Sequence, residues 1–150
     1  MPRRIWDLKC NRVIDFRMLH SASLAMQVSM DPDVKPRLPT YWAVSHSWAD
    51  DIHSSKTSVN QYQWPVPLPQ GIGLSSLRYE LLGYGAEYVW LDVLCLRQQS
   101  DIYALNLLKR EEWKLDVPTI GNIYRAAARI VRYFNGVGRE FRSDGWDNDR

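Results

Sequence analysis

An acid, a thiol and an amide follow one another at three-residue spacing after a short apolar run. Tyr88-Val89-Trp90-Leu91 stops on Asp92, and Cys95 and Gln98 come next. A second run of the same kind, Tyr41-Trp42-Ala43-Val44, ends in Ser45, His46, Trp48 and Asp50. Runs this short fit strands buried on both faces, and in α/β sheets ligands bind just beyond the carboxyl ends of such strands. A hydroxyl (Ser45) and carboxylates (Asp50, Asp92) suit ribose hydroxyls, and an indole (Trp48) suits a base. Ser45, Trp48, Asp50, Asp92, Cys95 and Gln98 are therefore the candidate residues of a nucleotide cleft. Each has a plainer reading beside it. Ser45 can satisfy a strand-end amide, Trp48 can pack under a loop, Asp92 can cap a turn, and Gln98 can brace the loop that follows. Cys95 with His46 suggests a thiol nucleophile and its base, set against the common fate of a free cysteine as a small core residue. Trp90 alternates with Leu91 and belongs to the core.

The elements that must position these residues can be read around them. Arg4–Leu8 and Arg12–Phe16 form a hairpin about a Lys9-Cys10-Asn11 turn. Residues 18–40 read as a linker, with weak helical spacing from Leu19 to Met30 and then Pro32, Pro36 and Pro39. The first core strand covers 41–46. Residues 52–70, with Pro65, Pro67 and Pro69, read as a long polar loop. Leu74–Leu82 is a helix capped by Ser75 or Ser76, with Leu74, Leu77, Leu81 and Tyr84 inward and Gly83 and Gly85 ending it. Strand, helix, strand makes a parallel right-handed βαβ unit. A helix capped by Asp101 runs to Trp113 with Ile102, Leu105 and Leu108 inward. Arg110, Glu111, Glu112 and Lys114 form its solvated charged face. After Pro118 a second helical piece presents Ile120, Ile123, Tyr124 and Ala127. Arg129–Phe134 is the third strand, and Asn135-Gly136 ends it.

With 150 residues the chain holds one domain at most. A hydrophobic share of 45% supports a core, and seven Trp and eight Tyr argue against disorder. The net charge of +2 is spread without a basic block, so no electrostatic case for nucleic acid exists. Two cysteines form neither a disulfide framework nor a zinc spacing. No metal is expected. The sequence lacks a membrane-length apolar run and a signal-peptide core, and it reads as a cytoplasmic protein.

Three blocks in order carry a resemblance. They are Tyr41-Trp-Ala-Val-Ser-His-Ser-Trp48, Tyr88-Val-Trp-Leu-Asp-Val-Leu-Cys-Leu-Arg-Gln98, and Ile123-Tyr-Arg-Ala-Ala127 before an apolar strand. Together they resemble the fungal heterokaryon-incompatibility (HET) domain, with Glu111–Gly121 similar to its basidiomycete form. HET domains in turn resemble TIR domains. The resemblance implies a TIR-like or flavodoxin-like α/β fold: a parallel sheet flanked by helices, with the N-terminal β-hairpin added at its side. It implies non-self recognition leading to cell death, through protein partners or self-association. It also implies NAD as a substrate cleaved at the nicotinamide ribosyl bond, with no resident cofactor. The family's carboxylate is expected in a Trp-rich block beyond the third strand. The chain has no Glu after Trp146, so it reads as a truncated fragment without a catalytic residue, and neither Glu111 nor Glu112 matches that position. The expected division is 1–40 hairpin and linker, 41–136 partial HET core, and 137–150 polar tail.

Overall fold

Each strand run alternates between two apolar faces, and the molecule is built on that alternation. A computed structural model describes residues 1–30, 33 and 39–140. Strands β1 (Arg4–Asp7), β2 (Arg12–Asp15), β3 (Trp42–His46), β6 (Tyr88–Leu91) and β7 (Arg129–Tyr133) form one sheet in the order β2-β1-β6-β3-β7. A separate two-stranded ribbon is made by β4 (Ile52–Ser55) and β5 (Val66–Pro69). The three expected core strands are parallel: β3 pairs with β6 on one side and β7 on the other. The N-terminal hairpin turns at Asn11 (φ 53°) and joins the sheet by antiparallel pairing of β1 with β6. The architecture is thus α/β, with a mixed five-stranded sheet, helices against it and the hairpin at its side.

Period-two geometry sends successive side chains to opposite faces. Trp6, Val44, Val89 and Leu91 pack on one face with Leu77 and Leu81 of helix α2 (Leu74–Gly83) and with Trp64, Val66 and Leu68 of the ribbon segment. Ile5, Ala43 and Trp90 pack on the other with Phe16 of α1 (Phe16–Met30) and Ile123 of α5 (Ile120–Ala126). Trp90 and Leu91 fall on opposite faces, as alternation requires.

Several expectations are revised. Helix α1 occupies much of the expected linker; Pro32 and Pro36 lie outside the described residues. The expected loop at 52–70 contains the β4–β5 ribbon. Pro67 and Pro69 sit in β5, where a missing amide on the unpaired side costs no ladder bond. In α2 only Leu77 and Leu81 are buried, and Tyr84 is exposed. Gly73 holds the cap position, with the Ser76 hydroxyl donating to its carbonyl; Gly83 stays helical and Gly85 takes the left-handed φ of 97°. A short helix α3 (Asp92–Cys95) begins directly on the acid that ends β6.

Helix α4 (Tyr103–Asp116) departs furthest. Ile102 takes the cap position expected of Asp101, and its amide is met by the Ser100 hydroxyl. Ile102 and Leu108 are exposed, while Glu112 is buried. The charged side of the helix faces the body because arginines wait for it there. Beyond β7, the expected polar tail begins with a buried Val137, and residues 141–150 lie outside the described residues. Gly138 (φ 79°) passes so close to Ile72 that a Cβ there would stand 2.8 Å from its Cγ2. Glycine is required at that crossing on both counts.

Candidate functional site

Register decides what meets at the sheet's carboxyl end. Val44 pairs with Leu91, so the residues that follow each strand emerge side by side. His46 Nε2 lies 2.7 Å from Asp92 Oδ1, and the same oxygen accepts the Val93 amide at 2.8 Å. The other ring nitrogen, Nδ1, lies 3.4 Å from the Ser47 carbonyl. Both nitrogens face acceptors, and only the imidazolium donates from both. Burial alone pulls the His46 pKa down; the Asp92 bond and charge outweigh it and leave it raised. Trp48 stands edge-on to the His46 ring at 5.2 Å and is 58% exposed. Tyr124 of α5 packs edge-on against Trp90 and donates to the Val44 carbonyl at 3.2 Å. Burial, with a smaller contribution from the Asp92 charge, pushes the Tyr124 pKa up to about 12.

Outside this pair lies an open cleft of about 400 Å³, lined by Ser47, Trp48, Asp50, Asp51, Asn135 and Arg139 among others. Ser47 Oγ donates to the Phe134 carbonyl at 2.5 Å and accepts the Gly136 amide at 3.2 Å, which ties the end of β3 to the loop after β7. Arg139 Nη2 lies 2.6 Å from Asp51 Oδ2 and closes one wall. An ion pair this exposed shapes the rim more than it stabilises the fold.

The expected site residues separate into groups. Trp48 and Asp50 line the cleft, and Asp92 stands beside it on His46. Ser45 is half-buried within β3. Gln98 turns back on its own loop, with Nε2 donating to the Leu96 carbonyl at 3.0 Å. Cys95 is buried, with Sγ 3.9 Å from the Val89 carbonyl, and burial pushes its thiol up to about 12. A thiol so protonated, with both His46 nitrogens engaged elsewhere, has no nucleophile–base geometry. No local pattern signals the His46–Asp92 pair, because the two residues lie 46 positions apart and only strand register joins them. Asn135 and Arg139 sit in a polar stretch that carries no local signal of a site.

A second polar cluster lies under α4. Arg4 Nη2 reaches Glu112 Oε1 at 2.8 Å and Arg97 Nη2 reaches it at 3.4 Å. Both guanidinium carbons stand 5.1 Å from the centroid of the buried Trp64 ring, a cation–π arrangement. Burial raises the Glu112 pKa, and the bonds from Arg4 and Arg97 more than offset this and hold it below the usual glutamate range. Glu112 was expected on a solvated face; the two arginines explain its burial. Among the described residues no group of three or more His, Cys, Asp or Glu side chains is arranged to hold a metal, and no helix is long and apolar enough to cross a membrane.

The model of one protein family, Heterokaryon incompatibility protein (HET), matches residues 41–141. No curated protein and no solved structure matches the chain. The matched span takes in β3 through the Ser47–Gly136 tie, and so includes both strands, the His46–Asp92 pair and the cleft beside them. With more than half of its residues inside that match, the chain belongs to the heterokaryon incompatibility (HET) family.

Proposed function

We propose that this chain is a signalling module of fungal non-self recognition, in which association with a protein partner or a second copy triggers cell death. One observation carries the reading. The three motif blocks that are far apart in sequence meet at one point of the fold, through His46 on Asp92 and Tyr124 on Trp90 and Val44. The test is induced proximity: the gene product is fused to a chemically dimerised domain and expressed in a fungal host. Death that follows addition of the dimeriser supports the reading. Survival with the dimeriser at full expression, or equal death without it, sinks it.

A second reading has its own support. An exposed indole beside a half-buried His–Asp pair, at the carboxyl ends of parallel strands, is suited to a nucleotide, with NAD as the candidate substrate. Titration of NAD into the purified chain, followed by Trp fluorescence and repeated with Trp48→Ala, tests it. Equal response from both proteins would remove Trp48 from any such pocket.

A further inference from the structure

Helix α4 wears its amphipathicity inside out. It is attached to the body by charge: Glu112 on Arg4 and Arg97, Asp116 on Arg3 at 2.8 Å, and Trp113 Nε1 on the Arg97 carbonyl at 2.7 Å. Most of its apolar residues face away; Leu105 and Trp113 are half-buried. Tyr103 is 74% exposed, and Leu107, Leu108, Leu115 and the capping residue Val117 are exposed too. A helix normally turns its apolar stripe to the core. Here much of the stripe is left on the surface.

The outward residues are ordered. Tyr103, Leu107, Arg110, Lys114 and Val117 recur at alternating spacings of four and three, the seam that one helix offers another. The seam is apolar at its ends and cationic in its middle. A groove of about 650 Å³ runs beside it, walled by Trp113 and by Lys109, whose ammonium sits 4.3 Å from the Trp113 ring centroid. The groove lining contains three cations and no acid. Glu111 is engaged by Lys114 at 2.9 Å on the adjoining side.

We infer that this seam docks an acidic amphipathic helix of a partner protein, with apolar residues meeting Tyr103, Leu107 and Val117 and carboxylates meeting Arg110 and Lys114. Charge decides against a second copy as occupant. Antiparallel pairing that lays Leu107 on Val117 sets Arg110 against Lys114, and in-register parallel pairing sets each cation against itself; both are repulsive, and neither offers the cations an acid. Helix-in-groove recognition through such evenly spaced anchors is a general mode of binding. The inference names the partner that the association reading leaves open, and it rests on that reading only for its biological consequence. Binding by the purified chain is measured without any cellular response, so either can fail alone.

The probe is a fluorescein-labelled synthetic peptide of about three heptads, with Leu at the outer seam positions and Glu at the two central ones. Its anisotropy is followed on titration with the 150-residue chain. Saturable binding is expected, and the exposed double variant R110E/K114E is expected to weaken it about tenfold or more. A peptide with central Lys should bind that variant and not the parent, a reversal that a misfolded variant would fail to give. Absence of binding by the Glu peptide overturns the inference, as does equal binding by a scrambled peptide of the same composition. So does a dimer, seen by sedimentation, that Leu107→Glu dissolves.

Discussion

Both nitrogens of the His46 ring meet acceptors, and one of those acceptors is ionised. The raised pKa that follows sets a sign. A histidine whose pKa is higher folded than unfolded stabilises the fold below its ordinary value of 6.5, and that contribution disappears as pH rises through the folded value. Removing the Asp92 charge leaves burial opposed only by the Ser47 carbonyl. Asp92→Asn is therefore expected to lower the His46 pKa, read from the ring carbon shift by NMR, and to flatten the fall of stability with pH above 6.5. An unchanged titration in the variant would mean that Asp92 does not hold the proton. The two cysteines provide a second contrast. Cys95 is buried with its pKa near 12, and Cys10 is exposed with its own pKa raised by a bond to Asp7. A thiol reagent at pH 8 should label one cysteine in the native chain and two in denaturant. Two labels in the native chain would contradict the packing around Cys95.

At the scale of elements, the strands were legible and α4 was not. Tyr88–Leu91 and Trp42–Val44 announce themselves because buried parallel strands are continuous apolar runs, and their pairing follows from the helix between them. The inward face of α4 could not be read, because periodicity registers apolar spacing and this helix is anchored by its carboxylates. Of the partners of those carboxylates, Arg3 and Arg4 lie at the other end of the chain and Arg97 lies outside the helix, and no local pattern joins them. The ribbon at β4–β5 was hidden for a related reason: its prolines signal a loop and are tolerated on its open edge. The anchoring has a measurable consequence. Glu112→Ala leaves two guanidinium groups facing each other in the interior, and removing one partner of a buried pair costs about 3–5 kcal/mol. Urea unfolding of the variant should show that loss. Because the folded Glu112 pKa is lowered, its contribution is complete above the ordinary glutamate value and fades as pH falls through the folded one. The parent should accordingly lose stability on acidification more steeply than Glu112→Gln. Parallel acid curves for the two would show that the arginines do not act through this carboxylate.

At the scale of the molecule, the question is whether the cleft at the strand ends performs chemistry or only binds. Cleaving the nicotinamide ribosyl bond builds positive charge on the sugar, and a carboxylate aimed at that charge must stabilise it. Four acids among the described residues can be taken in turn. Asp92 Oδ1 already accepts from His46 and from the Val93 amide. Asp51 is held by Arg139, and Asp50 stands on the exposed rim, where water screens it. Glu112 is buried under α4 among arginines. A carboxylate so neutralised or so wet lacks the preorganised field that the reaction needs. We therefore predict that the purified 150-residue chain releases no nicotinamide from NAD above a buffer control, as followed by chromatography over hours. Release above the control would overturn this, and Asp50→Asn beside Asp92→Asn would then locate the acid.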